Sequence, residues 1–199
     1  FGAADGYSTS IPISLATDPR SLLVYEMNGV PLPNEHGAPV RVLLPGRYGQ
    51  KQPKWITSIE AITKPYLGHW ERQGWSNDAI VRINSQIRTP DDGEIISSEI
   101  FPVSGTVFSS HHGVAKLEVS TDGGRTWHEA RLVRGPSPQA WVEWRYEWTP
   151  PASGSYTIIA RGTDGEGNQQ PIASSRLLVP DSSLEGVWTA HRVVVTVSK

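Results

Sequence analysis

From about residue 79 onward, apolar and polar residues alternate along the chain, which is the pattern of β-strands with one buried face. Clusters of Gly, Pro, Asn and Asp interrupt this alternation at intervals of roughly 10 to 15 residues and predict turns between the strands. The pattern as a whole predicts an immunoglobulin-like β-sandwich over residues 79–199. Its predicted strands are 81–87, 100–108, 115–120, 126–133, 142–149, 155–163 and 187–197.

The first 78 residues contain shorter apolar segments and little helical periodicity, so turns and short strands are expected there. Asn28 and Gly29 lie between apolar residues and predict a type I′ hairpin turn, because both residues tolerate a positive φ. Residues 68–78 have the composition of a connector, and a domain boundary is therefore expected after residue 78. The strands predicted in this first domain, 1–78, are 22–27, 40–44 and 54–62.

Residues 141–149 illustrate how the alternation assigns side chains to faces. Trp141 is expected on the opposite face of its strand from Trp144, Tyr146 and Trp148, since successive side chains of a strand point in opposite directions. One face should belong to the core, and aromatic residues on the other would be exposed on a monomer. Such exposed aromatics either pack against a neighbouring domain or form a subunit interface.

Composition narrows the class of protein. The 199 residues are 37% hydrophobic with eight Trp, which is typical of a folded protein. A net charge of −2 gives no basic field for nucleic acid, and no apolar run approaches the roughly 20 residues of a membrane span. The absence of Cys excludes disulfides, zinc–thiolate sites and iron–sulfur clusters within these residues. The chain begins at Phe1 without a signal-like segment, so a processed or truncated protein is expected.

Two neighbouring segments carry the most suggestive chemistry. In EHGAPVR, His36 and Arg41 place two hydrogen-bond donors near a loop that enters a strand, and a guanidinium group suits phosphate. The segment GRYGQKQPK, residues 46–54, is a glycine-containing loop with three basic residues, whose amides and ammonium groups can converge on an anion. Taken alone, the pattern favours a structural role for His36 and solvated loop lysines.

Other polar clusters predict turns more than sites. Asp122, with Gly123 and Gly124, is expected to form a hairpin turn and not a calcium loop, because only one carboxylate lies there. His111 and His112 are adjacent in a Ser/Gly-rich loop, where solvated histidines are more common than metal ligands. No metal site is predicted.

The order of motifs is similar to that of the sulfite-oxidase family of molybdopterin oxidoreductases, in its bacterial form. NGVPLPNEHGAPVR, PGRYG and KW resemble the part of the molybdopterin domain that holds the cofactor, and EVSTDGGRTW resembles the family's dimerisation domain. The resemblance implies the C-terminal part of an α+β molybdopterin domain followed by the sandwich, in a mainly β chain. The residues that it implies as contacts of molybdopterin are His36, Arg41, Gln52, Pro53 and Lys54.

Three departures from the family pattern bear on the reaction. The cysteine that binds molybdenum in the family is absent here, so no cofactor is expected on the isolated chain. Trp75 stands where animal sulfite oxidases have an active-site tyrosine, and it is expected near the substrate mouth. Glu185 stands near the position of a substrate-binding arginine, and a carboxylate there would repel sulfite.

The sequence therefore predicts the C-terminal portion of a molybdenum oxidoreductase that transfers oxygen or electrons to or from a small oxyanion or oxide such as sulfite. The resemblance implies a homodimer, an N-terminal part of the same enzyme, and a periplasmic or exported bacterial location, and it allows a cytochrome or haem electron partner. The alternative is a non-catalytic β-sandwich module that mediates assembly or binds a ligand such as a carbohydrate.

Overall fold

The computed structural model describes residues 1–110, 112–137, 140–172 and 189–198. The chain is mainly β and divides into two compact units, residues 1–81 and residues 82–172 with 189–198. No helix in these described ranges is long and apolar enough to cross a membrane.

The first unit consists of short elements connected by turns. Its described strands form antiparallel pairs, β1 with β6, β2 with β5 and β3 with β4. Asn28 and Gly29 have φ of 54° and 78° between β3 and β4, which confirms the predicted hairpin turn. The elements are β1 (Gly2–Ala3), α1 (Ile13–Ala16), β2 (Leu22–Val24), β3 (Glu26–Met27), β4 (Val30–Pro31), β5 (Arg41–Leu43), β6 (Ile56–Ser58) and 3₁₀ turns at Asn34–His36, Gly49–Lys51 and Glu71–Gln73.

Two expectations for this unit are wrong in detail. The predicted strand 54–62 is only β6, because its described partner β1 is two residues long and residues 57–62 stay exposed. Residues 68–78 are more than a connector, since they include a 3₁₀ turn whose first residue, Glu71, is buried inside the first unit.

The second unit is a sandwich of two sheets. One sheet has the strand order β11-β10-β14-β15-β8, and the other has the order β12-β13-β9-β7. The described strand pairs are antiparallel except β8 with β15, which are parallel. The strands are β7 (Asn84–Thr89), β8 (Ile95–Ile96), β9 (Phe101–Phe108), β10 (Val114–Ser120), β11 (His128–Glu129), β12 (Arg131–Val133), β13 (Val142–Trp148), β14 (Gly154–Asp164) and β15 (His191–Val197).

The core of the sandwich lies between the inner faces of the two sheets. Val103 and Val107 from β9 meet Leu117 from β10 and Ile158 from β14 in one buried cluster. Trp144 is 1% exposed in this core, whereas Trp141 is 51% exposed. The prediction that these two tryptophans lie on opposite faces is therefore confirmed, and the Trp144 face is the inner one.

The predicted strand 126–133 is divided between the two sheets. Ala130 is buried between β11 and β12, and its N–H donates to the Leu117 carbonyl, so the chain crosses from one sheet to the other at this residue. The alternation did not show this crossing, because β11 and β12 are only two and three residues long.

Candidate functional site

The segment around His36 and the segment around Lys54 lie against each other in the first unit. The 3₁₀ turn Asn34–His36 ends at Gly37, whose φ is 108°. A Cβ at Gly37 would lie 2.8 Å from the Lys54 Cβ, so only glycine allows this approach. The Trp55 indole donates to the Asn34 carbonyl over 2.8 Å, which fixes the contact.

Arg41 and Lys54 present cationic groups at this contact. Arg41 Nη1 donates to the His36 carbonyl over 3.1 Å, while its buried Nε has no hydrogen-bond partner among the described residues. Lys54 Nζ donates to the Glu35 carbonyl over 2.7 Å, which engages one of the three N–H groups of the ammonium. Both cations therefore keep donor capacity beyond their contacts with the backbone.

Gln52 and Pro53 fix the same loop through hydrogen bonds to neighbouring backbone groups. Gln52 Nε2 donates to the Arg47 carbonyl over 2.6 Å, and the buried Pro53 accepts a backbone hydrogen bond from Val42 over 2.9 Å. The structure thus brings His36, Arg41 and Lys54 to one place, with Gln52 and Pro53 as backbone anchors.

Trp75 lies in a separate aromatic group of the first unit. Its ring centroid is 5.1 Å from that of Trp70, with the planes tilted by 50°, and His69 meets Trp70 edge-on at 5.0 Å. Trp75 is 38% exposed. Its indole N–H is a neutral donor with no titratable hydroxyl.

Lys51 corrects the expectation that the loop lysines are solvated. Its Nζ lies 2.6 Å from Glu71 Oε1, and the two side chains keep 2% and 0% of their accessible surface. Sequence patterns gave no signal for this pair, because Glu71 lies in the segment interpreted as a connector. A buried ammonium group requires such a partner, since an isolated charge is too costly to bury.

Tyr7 approaches the same pair from the N-terminal segment. Its hydroxyl donates to the Gln50 carbonyl over 2.6 Å. Burial, together with the negative charges of Glu71 and Asp5, raises the pKa of Tyr7 to about 12. The phenol therefore stays protonated at neutral pH and serves as a hydrogen-bond donor.

The remaining polar clusters do not form metal sites in the described ranges, where no group of three or more His, Asp and Glu residues converges. Asp122 accepts hydrogen bonds from the backbone N–H groups of Arg125 and Thr126, which confirms the predicted turn. The hydroxyl of Thr126 also donates to this carboxylate, and this bond, together with the backbone bonds, holds the pKa of Asp122 well below its usual range. His112 Nδ1 lies 3.2 Å from Glu166 Oε1. His111 and Glu185 lie outside the described residues.

Two domain families match this chain. Residues 1–70 match the oxidoreductase molybdopterin-binding domain, and residues 77–198 match the Mo-co oxidoreductase dimerisation domain. The chain belongs to the sulfite-oxidase family of molybdopterin oxidoreductases. Molybdopterin is accordingly the cofactor of the intact family member.

Individual relatives agree with this assignment. Mitochondrial sulfite oxidase of Mus musculus is 33% identical over 96% of this chain and 39% of its own length. Sulfite oxidase of Arabidopsis thaliana is 29% identical over 96% of this chain and 53% of its own length. The chain therefore spans less than two thirds of these relatives.

A solved structure supports the fold. The crystal structure of the sulfane dehydrogenase SoxCD from Paracoccus pantotrophus aligns with a TM-score of 0.68 and 23% identity, covering 81% of this chain and 44% of that one. The mainly β architecture with an immunoglobulin-like sandwich is thereby confirmed.

The residues at the contact of the two loops fit the phosphate end of molybdopterin. The buried Nε of Arg41 lacks an acceptor among the described residues, and the exposed ammonium group of Lys54 has N–H groups beyond the one that donates to Glu35. A phosphate carries several acceptor oxygens and about two negative charges, so it suits both cations.

Proposed function

We propose that this chain holds the phosphate end of molybdopterin in a molybdenum oxidoreductase of the sulfite-oxidase family. The observation that carries the proposal is the buried Arg41 Nε, which has no hydrogen-bond partner in the described part of the chain, beside the Lys54 ammonium and the exposed His36. Charge-assisted hydrogen bonds from these groups to phosphate contribute roughly 1.5–3 kcal/mol each.

The division of labour follows from the residues present. The molybdenum cofactor supplies the redox chemistry when bound, and the protein supplies position and electrostatic stabilisation. Arg41 and Lys54 orient the cofactor, while Trp75 lines the substrate mouth with a neutral indole donor. We infer a small oxyanion or oxide as substrate, with sulfite as the first candidate because the relatives named above are sulfite oxidases.

The experiment is molybdenum and pterin analysis of the parent protein carrying Arg41→Ala. Loss of the guanidinium should sharply lower both contents per protomer, because the phosphate loses a charged donor. Arg20→Ala is the matched control, since Arg20 is exposed and pairs only locally with Asp18. Equal cofactor content in the two variants would contradict the proposed site.

We propose further that the sandwich unit mediates homodimerisation, because it matches the family's dimerisation domain. The exposed Trp141, whose ring lies 5.2 Å from that of Phe108, fits a dimer interface and equally fits the alternative of a ligand-binding module. Light scattering separates the two: a stable dimer whose Trp fluorescence ignores oligosaccharide supports dimerisation. A monomer whose emission shifts with sugar supports the module.

An exported location and a cytochrome or haem electron partner stay predictions that follow from the family resemblance.

A further inference from the structure

Three segments of the first unit meet around the ammonium group of Lys51. Besides its ion pair with Glu71, Nζ donates to Thr9 Oγ1 over 3.1 Å, to the Ser10 carbonyl over 2.9 Å and to Asn77 Oδ1 over 3.0 Å. The Thr9 hydroxyl in turn donates to Glu71 Oε1 over 3.0 Å, which closes a ring of three side chains. The N-terminal segment, the 46–55 loop and residues 71–77 are therefore tied to one buried charge.

Stability alone does not explain a buried ion pair. Desolvation of the two charges offsets much of their attraction, and apolar side chains of similar volume often give equal or higher stability. Directional hydrogen bonds, however, accept only one arrangement of the segments that they join, whereas an apolar contact tolerates several. Glu71 Oε2 has no hydrogen-bond partner among the described residues, but the ring through Oε1 joins three segments and is therefore suited to fixing their relative position.

Close backbone packing beside the Lys51–Glu71 ion pair further restricts how the N-terminal segment and residues 68–71 can move relative to each other. A Cβ at Gly68 would collide with the Ser8 carbonyl oxygen and would lie 2.5 Å from Glu71 Oε2. Only glycine therefore lets residues 68–71 approach the N-terminal segment this closely. The hydroxyl of Tyr7 donates to the carbonyl of Gln50, the residue before Lys51, and so links the N-terminal segment to the 46–55 loop.

The joined segments carry the two groups that the proposed function uses. The 46–55 loop bears Lys54 at the phosphate site, and the 3₁₀ turn Glu71–Gln73 is flanked by Trp70 and Trp75. We propose that Lys51 is a positioning residue, which through its ion pair with Glu71 holds the turn Glu71–Gln73 so that Trp70 and Trp75, on either side of it, keep one mutual orientation. The effect of this positioning on substrate binding at Trp75 rests on the proposed function, whereas the positioning of the two rings does not.

The test uses circular dichroism of the 199-residue chain without cofactor. Two indole rings with centroids 5.1 Å apart couple their transitions, and the resulting couplet depends on their mutual orientation. The difference between the wild-type spectrum and that of Trp75→Phe isolates this couplet. We expect Lys51→Met to lower its amplitude by more than half at a temperature where the protein is folded.

A second variant guards against simple loss of folding. Lys51→Met combined with Glu71→Leu removes both charges, so no uncompensated carboxylate stays buried. We expect this double variant to unfold as cooperatively as the wild type but to show the same reduced couplet. A full couplet in the folded double variant would overturn the proposal, since the pair would then only stabilise the unit.

Lys54→Met is the matched control, because it makes the same substitution in the same loop. Lys54 Nζ contacts the Glu35 carbonyl and makes no described contact with residues 68–78. The Trp70/Trp75 couplet of the Lys54→Met variant should therefore equal that of the wild type. Loss of the couplet in this control as well would also overturn the proposal. The spectrum is independent of molybdenum content, so failure of the phosphate site and failure of the positioning role are distinguishable.

Discussion

The contact between the two loops of the proposed phosphate site depends on Gly37, and this dependence can be measured against two other glycines. Gly37 combines a φ of 108° with a neighbour, Lys54, whose Cβ would lie 2.8 Å from an added methyl group. Gly29 has a similar φ of 78°, but no atom of the described residues lies within 4 Å of the added Cβ. Gly49 has neither a positive φ nor a close neighbour.

Alanine substitutions at these three glycines therefore separate strain from collision. Gly49→Ala should change the free energy of unfolding by under about 1 kcal/mol and can stabilise the chain through the unfolded state. Gly29→Ala should cost about 1–2 kcal/mol, because a left-handed residue gains a Cβ. Gly37→Ala should add to that strain about 1–3 kcal/mol for overpacking against Lys54, giving a total of about 2–5 kcal/mol.

Urea unfolding followed by Trp fluorescence gives the three free energies. In the parent protein, Gly37→Ala should also lower molybdenum content, because it separates Arg41 from Lys54. A cost for Gly37→Ala no larger than that for Gly29→Ala would refute the close approach of the two loops.

Two further predictions concern the sandwich. Trp144→Ala should lower the free energy of unfolding in urea by about 3–5 kcal/mol, because Trp144 is 1% exposed. Trp141→Ala, at a half-exposed position, should lower it by under about 1 kcal/mol. Similar losses for the two variants would contradict the assignment of faces. His191 Nδ1 accepts a hydrogen bond from the Ile87 N–H, and burial, together with Arg88 and against the opposing effect of Asp92, lowers the pKa of His191. The unfolded chain therefore takes up the proton first, so stability should be full above pH of about 6.5 and fall as the pH drops below it. His191→Gln should show a smaller loss between pH 7.5 and 5.5, and an unchanged loss would contradict this role.

The sandwich was predictable because its strands bury one face, and burial of every second residue requires apolar and polar residues to alternate in the sequence. Strand β9, Phe101–Phe108, begins within one residue of its predicted bound and ends on it. Strand β8, Ile95–Ile96, was not predicted, because two residues are too few to show alternation and its partner β15 lies about 100 positions away. The crossing at Ala130 was missed for the same reason, since β11 and β12 on either side of it are only two and three residues long.

The candidate site was only partly predictable. The order of motifs singled out His36, Arg41 and Lys54, and their proximity arises from a turn and a glycine that the motif contains. The unpartnered Nε of Arg41 is a property of the folded chain, because it depends on which carbonyls the guanidinium group meets. No sequence pattern reports that.

Lys51 and Lys54 show why basic residues in a loop cannot be assigned from sequence alone. They are three positions apart in one loop, yet Lys51 is enclosed with Glu71, while Lys54 donates to a backbone carbonyl near the surface and lies 5.1 Å from the centre of the Trp55 ring. The difference arises because the 3₁₀ turn Gly49–Lys51 ends at Lys51, and the chain then extends toward Trp55. The turn directs one ammonium group inward, where four acceptors from other segments surround it. Lys54 therefore keeps N–H groups for an anion, whereas Lys51 has its donors engaged inside the first unit.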